Sequence, residues 1–144
     1  MKIKTKAFGE IEVSEKQRLH FKDGIFGFED IQNFVLLDGE SGSPFYWLQS
    51  EEMSEIAFLV IDPKMIIADY KLEIDKEDIR DLEIEKDEDI LLFTIITIYD
   101  DPEKSTANLF GPLVINRVKH IGKQVISLND CYSVRHPLLE KKEA

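Results

Sequence analysis

The sequence predicts an all-β fold: an antiparallel barrel or sandwich-like single domain with one short helix. Three observations carry this expectation. Patterns of period two outnumber patterns of helical period along the chain. Eight or more short apolar runs recur at roughly ten-residue spacing, each bounded by turn-forming residues. One brief stretch carries a helix start signal followed by an apolar pair at helical spacing.

The elements follow in order. Residues 2–8 (KIKTKAF) and 11–13 (IEV) flank Gly9-Glu10 as the arms of a strand pair. Leu19 and Phe21 lead into the turn dipeptide Asp23-Gly24. Residues 34–38 (FVLLD) end at 39–44 (GESGSP), a loop rich in turn formers. Residues 44–50 (PFYWLQS) and 57–62 (AFLVID) read as strands, the second closed by Asp62-Pro63. In 68–74 (ADYKLEI), Tyr70, Leu72 and Ile74 point one way and Asp69, Lys71 and Glu73 the other, which predicts a half-exposed strand. Asp75 is placed to cap a short helix, with Asp78 at the capping-box position and negative charge at the positive end of the helix dipole. Ile79 and Leu82 share one face of that helix, which ends near Leu82. Residues 89–99 (DILLFTIITIY) read as a strand buried on both faces, stopped by Pro102. Residues 107–116 (ANLFGPLVIN), broken at Gly111-Pro112, and 123–128 (KQVISL) supply the last clear strands, with a turn through Ile121-Gly122. No linker, repeat or second domain is visible. The expected organisation is one domain over residues 1–138 and a frayed C-terminal tail over 139–144.

At 144 residues the chain is long enough to bury on the order of 70% of its unfolded surface. With 43% hydrophobic residues, it is not a disordered polymer. Its formal net charge is −11. Residues 75–90 (DKEDIRDLEIEKDEDI) carry nine carboxylates and three basic side chains, a net −6, directly before the most apolar run. A negative surface is repelled by phosphate backbones, so direct binding to DNA or RNA is not expected. The same field attracts a basic partner, speeds the encounter and makes association salt-sensitive. A single cysteine, Cys131, rules out an internal disulfide and suits a reducing compartment. No apolar signal-peptide core and no transmembrane stretch are present, so a cytoplasmic protein with no membrane partner is expected.

Catalytic chemistry finds no foothold. His20, His120 and His136 lack the spacing that sets two ligands on one metal, and one cysteine does not complete a zinc site. As a calcium loop starting at Asp75, the acidic segment would place Arg80 where the sharp turn needs glycine. The glycines of 21–28 (FKDGIFGF) come without the lysine and hydroxyl of a phosphate loop. Ser50, Ser127 and Ser133 have no nucleophile-elbow context. Cys131 and His136, five positions apart, would point to opposite faces of a strand. No catalytic residue, metal ligand or cofactor is expected, and the chain does not read as an enzyme.

The order of FKDGIFGF, PFYWLQS, AFLVIDP, DYKLEI, TANLFGPLVIN and GKQVI, spread over about residues 1 to 138, resembles the FliW family of bacterial flagellar assembly factors. Beside that resemblance the residues have physical roles of their own. Phe21, Gly24, Ile25, Gly27 and Phe28 read as a turn plugged into the core. Trp47 and Leu48 add core mass, Gln49 and Ser50 hold a strand end, and Asp62 and Pro63 close a strand. Asn108 and Asn116 stand at the ends of the stretch broken at Pro112, where amide side chains bond to loop backbone.

The resemblance implies a partner switch with no catalysis and no cofactor. FliW-like proteins bind CsrA, a small dimeric RNA-binding regulator, and inhibit it away from its RNA surface, which relieves repression of flagellin translation. They also bind newly made flagellin, so flagellin and CsrA compete for one antagonist until flagellin is secreted. A run of charge is ordinarily a solvated face, but an acidic rim also suits capture of a basic RNA-binding protein. On that reading Glu73, Asp75, Asp78 and Asp81 are the expected CsrA-facing residues, with affinity supplied by a few apolar anchors. A helical flagellin segment would need an apolar groove, for which Phe110, Leu113 and Val114 are the candidates. The alternative is an acidic nucleic-acid mimic that competes directly for the regulator's RNA surface.

Overall fold

In the computed structural model, which describes residues 1–138, the period-two segments become eleven strands. They are β1 Lys2–Thr5, β2 Gly9–Glu12, β3 Arg18–Phe21, β4 Asn33–Asp38, β5 Tyr46–Ser50, β6 Ala57–Ile61, β7 Ile90–Thr97, β8 Thr106–Ala107, β9 Leu113–Asn116, β10 Ile121–Gln124 and β11 His136–Pro137. The expected frayed tail over 139–144 lies outside the described residues.

Seven strands close a ring in the order β3–β4–β5–β6–β7–β9–β10 and back to β3. The fold is therefore all-β as expected, and of the barrel and the sandwich that the strand spacing left open it is the barrel. Every ladder is antiparallel except the closing one, where β10 runs parallel to β3 with Ile121 opposite His20 and Gly122 opposite Phe21. Closure depends on the length of β7. Residues 90–93 pair with β9, while Thr94, Ile95 and Ile96 pair with β6. Ile96 and Thr97 also pair with β8, which carries β11 outside the ring.

Alternation decides which side chains fill the barrel. Leu19 and Phe21 of β3, Phe34 of β4, Leu48 of β5, Val60 of β6, Phe93 of β7 and Leu113 and Ile115 of β9 meet in one buried cluster. Phe21 and Phe34 pack edge to face at 5.5 Å. Gly122 makes room for this pair, since a Cβ there would lie 2.6 Å from Phe21 Cζ. Three outer covers complete the molecule. The β1–β2 hairpin lays Ile3 and Val13 on Val35 and Leu37. Ile66, Ile67 and Tyr70 cover Ile61, Ile96 and Leu109. The acidic segment sets Leu82, with Ile79 and Ile84 at its sides, on Val114 and Val125.

Several local expectations are corrected. Residues 70–75 have no regular secondary structure and join no ladder. Asp62 accepts a hydrogen bond from Lys64 N, and Pro63 starts the 3-10 turn Pro63–Met65, which carries the chain off the sheet. Tyr70, Leu72 and Ile74 still face inward, so the alternation reported burial rather than strand pairing. The turn expected at Ile121-Gly122 lies at 117–120, with His120 at φ 60°; Ile121 and Gly122 instead start the strand Ile121–Gln124, and of the predicted strand 123–128 only Lys123 and Gln124 join the ladder. Short turns went unforeseen, including Glu15–Gln17, whose capping box is complete between Ser14 and Gln17. Its Ser-x-x-Gln signature was present in the sequence.

Candidate partner-binding surface

The expected helix forms at Lys76–Leu82 as a seven-residue 3-10 helix, and it is the only helical segment among the described residues longer than three. Three residues per turn put Ile79 and Leu82 above one another, so the spacing that buries both suits this tighter helix. Asp75 Oδ1 accepts from Glu77 N at 3.0 Å, and Asp78 N donates to the Asp75 carbonyl. The helix ends at Glu83 in the left-handed region, φ 53°. That conformation costs a non-glycine residue about 1 kcal/mol. Asn116, 2% exposed, holds the end in place. Its Nδ2 donates to the carbonyls of Leu82 at 2.9 Å and Glu83 at 3.4 Å, and its Oδ1 accepts from Val118 N and Lys119 N.

The other side of this helix is solvent-facing carboxylate. Glu73, Asp75, Asp78 and Asp81 are all exposed. Asp81 lies 3.6 Å from Lys123, which also reaches Asp23 at 3.9 Å. Glu77 meets Arg80 at 3.6 Å, and Glu83 meets Lys119 at 3.4 Å. Such exposed pairs are worth roughly 0 to 1 kcal/mol each and leave most of the field intact. Glu73, Asp75 and Asp78 have no ion pair among the described residues.

Apolar anchors stand beside this charge. A groove of about 210 Å³ is lined by Asp78, Lys123, Phe26 and Ile126. Phe26 is 52% exposed and Ile126 44%. A neighbouring groove of about 150 Å³ joins Asp81, Asp23, Lys22 and His20. Phe26 was not foreseen as a site residue. It sits at the tip of a turn that Gly24 and Gly27 permit at φ 67° and 88°, and a Cβ on Gly24 would come 2.6 Å from Glu29 Cα. Buried Gln124 fixes the tip, accepting from Phe26 N at 2.9 Å while its Nε2 donates to the Gly111 carbonyl. Glu29 accepts from Gly27 N at 3.1 Å, and that bond together with its own N–H holds its carboxyl below the usual range.

Phe21 and Ile25 are buried, while Phe28 sits at the surface with its ring edge-on to Phe58 at 5.1 Å. Gln49 Nε2 donates to the Ser50 and Ser54 carbonyls, and its Oε1 accepts from Lys6 N. Ser50 Oγ accepts from Glu52 N and Met53 N. Asn108 Oδ1 accepts from Gly111 N at 2.8 Å, and the Pro112 carbonyl accepts from Val125 N. The apolar candidates after Gly111 do not form a groove. Leu113 faces the barrel interior and Val114 lies under the acidic helix, both without exposed surface, because β9 is covered on each side. Phe110 alone is half-buried.

The histidines serve local structure: His20 Nδ1 meets Asn33 Oδ1 at 2.9 Å, His120 Nδ1 meets the Arg18 carbonyl at 3.1 Å, and His136 lies in β11. Cys131 is exposed in a turn rather than in a strand. Among the described residues no group of three or more His, Cys, Asp or Glu could hold a metal ion, and no helix is long and apolar enough to cross a membrane.

Comparison with known proteins agrees with this architecture. The family model for the FliW protein matches residues 2–138. The flagellar assembly factor FliW of Thermoanaerobacter pseudethanolicus is 44% identical over 142 residues, covering 98% of this chain and 95% of its own length. That of Leptospira biflexa is 40% identical over 142 residues, covering 98% and 93%. A crystal structure of the flagellar assembly factor FliW superposes with a TM-score of 0.90 at 38% identity, covering 99% of this chain and all of that one.

Proposed function

The chain belongs to the FliW family, and from that premise we propose that it is a non-enzymatic flagellar assembly factor that works by exchanging protein partners. One partner is the RNA-binding regulator CsrA, which it inhibits away from the RNA surface. The other is flagellin, whose binding withdraws the protein from CsrA until flagellin is exported.

The observation that carries the CsrA interface is the two-sided construction of the segment 75–82. Ile79 and Leu82 fasten it to the barrel, leaving its carboxylates to solvent beside Phe26 and Ile126. Charge that contributes little to folding is then available to steer a basic protein, and the adjacent apolar side chains supply desolvated contact. Glu73, Asp75, Asp78 and Asp81 form the steering rim, with Phe26 and Ile126 as anchors. On the flagellin side, Phe110 is the one candidate anchor that retains exposed surface, so a helical segment would have to be received elsewhere as well.

The test is calorimetric titration into CsrA of the same species at low and high salt, with and without flagellin. Tight binding that weakens with salt and is abolished by flagellin is expected. The variant Glu73→Lys, Asp78→Lys, Asp81→Lys, with Asp75→Asn to keep the helix cap, should bind more weakly and lose most of the salt dependence. Unchanged affinity in that variant would remove the acidic face from the interface. Adding the CsrA target RNA distinguishes the mechanisms: a transient ternary complex fits inhibition at a distance, and strict exclusion of RNA fits a nucleic-acid mimic. No binding to CsrA or flagellin would overturn the partner-exchange function.

A further inference from the structure

We propose that the groove between residues 70–79 and the start of β7 is a docking site for an extended, acidic peptide that adds to β7 as a strand. The groove encloses about 630 Å³. It exists because β7 runs past the end of β6: their register stops with Ile61 opposite Thr94, where Asp62 and Pro63 turn the chain away. Residues 90–93 keep β9 as a ladder neighbour on one edge only.

Successive residues of an antiparallel strand present their backbone groups to opposite edges. Arg117 N donates to the Asp89 carbonyl and Asn108 N to the Ile95 carbonyl, so odd positions of β7 face the β9 and β8 side. Ile90 and Leu92 face the open side. The Ile90 N–H is taken by the Asp87 carbonyl. The Ile90 carbonyl and both backbone groups of Leu92 have no partner among the described residues. The opposite wall is the segment 70–75, which alternates half-buried and exposed residues from Leu72 to Asp75 and in which Leu72 N and Ile74 N are also without partners among the described residues. Between these walls lie Leu72, Ile74, Ile79 and Leu92. Free backbone groups along two walls, with apolar pockets between them, are what an inserted strand satisfies.

The rim selects the sign of the ligand. Lys64, Lys71 and Lys76 line the groove, against Asp62 and Asp87. None of the three lysines is ion-paired among the described residues, in a chain of net charge −11. Carboxylates on the peptide would meet this positive rim, three lysines against two aspartates, while a basic peptide would be drawn to the acidic helix face beside the groove. The site does not depend on the CsrA and flagellin partners proposed above.

The probe is a short capped peptide of alternating valine and threonine flanked by glutamates, titrated into the full chain by fluorescence anisotropy, with amide hydrogen exchange as a second readout. Binding should protect the Leu92 amide and vanish when alternate peptide nitrogens are methylated. A lysine-flanked peptide should bind about tenfold more weakly, the sum expected of three exposed ion pairs. The variant Lys64→Glu, Lys71→Glu, Lys76→Glu should reverse that preference. Absence of binding, an unprotected Leu92 amide, or tighter binding of a helically stapled peptide of the same composition would each overturn the proposal.

Discussion

Asn116→Ala tests whether one buried amide holds the acidic helix to the barrel. The side chain makes two part-buried bonds to turn amides, Val118 N at 3.0 Å and Lys119 N at 3.1 Å. It also makes one short bond to the Leu82 carbonyl at 2.9 Å and a long one to Glu83 at 3.4 Å. After truncation the turn amides turn to water, a loss of about 0.5 kcal/mol each. The Leu82 carbonyl belongs to a residue only 3% exposed, and leaving it unpaired costs about 1 to 3 kcal/mol. The 3.4 Å bond is too long to add much. The sum is about 2 to 4 kcal/mol. With a urea slope of about 1 to 3 kcal/mol per molar, the midpoint followed by Trp47 fluorescence should fall by roughly 1 M. Amides 77–83 should exchange faster than the barrel strands, since the bonds to the Leu82 and Glu83 carbonyls are the ones that hold that end of the helix. Asn116→Asp keeps the acceptor for the turn but sets a carboxylate against the Leu82 carbonyl. Its folded pKa would be raised, so its stability should recover as pH falls through that pKa towards the ordinary aspartate value. An unchanged midpoint in Asn116→Ala, or a fall without selective exchange at 77–83, would refute the anchoring role.

Other perturbations have equally definite outcomes. Gly122→Ala places a Cβ 2.6 Å from the Phe21 ring. It should destabilise by about 1 to 3 kcal/mol, a loss that Phe21→Leu partly relieves in a double-mutant cycle read by thermal unfolding. Leu82→Ala should cost about 2 to 5 kcal/mol in urea unfolding, because Leu82 is the buried residue of the acidic helix. Burial, and secondarily the neighbouring Tyr132, pushes the Tyr70 hydroxyl up to about 12. A folded pKa raised above the ordinary value near 10 gives stability that is complete below pH 10 and lost as pH rises towards 12. Tyr70→Phe should remove that alkaline loss, while costing about 1 kcal/mol at neutral pH for the bond to the Leu109 carbonyl.

What the sequence revealed and what it hid can be traced to single residues. Alternation in Tyr70, Leu72 and Ile74 correctly reported an inward face, but period two describes any extended backbone and says nothing of a ladder partner. The helix at Lys76–Leu82 was visible because its signals are local: an Asp cap and two apolar residues three apart. Barrel closure was not visible. It rests on β3 meeting β10 a hundred positions later, and the key to that contact is a missing side chain, Gly122, under Phe21. Leu113 and Val114 show the limit of composition. An apolar run looks the same whether it lines an open groove or is covered on both sides, and only the position of the acidic helix decides. Phe26 is the converse case, an aromatic whose flanking glycines lift it to the surface.

The parallel seam between β3 and β10 also sets the order in which the molecule becomes competent. During synthesis, at about 5 to 20 residues per second, β3 to β6 emerge early and form neighbouring hairpins. The ring stays open until Gly122 arrives. Val114 and Val125, on which the acidic helix rests, are likewise translated after the helix itself. Chains ending before β10 carry the carboxylates but lack Val125 and the closed ring on which the helix rests. Closure over so long a sequence separation makes folding slow for this chain length. The acidic face is therefore presented in its folded form only once the barrel has shut.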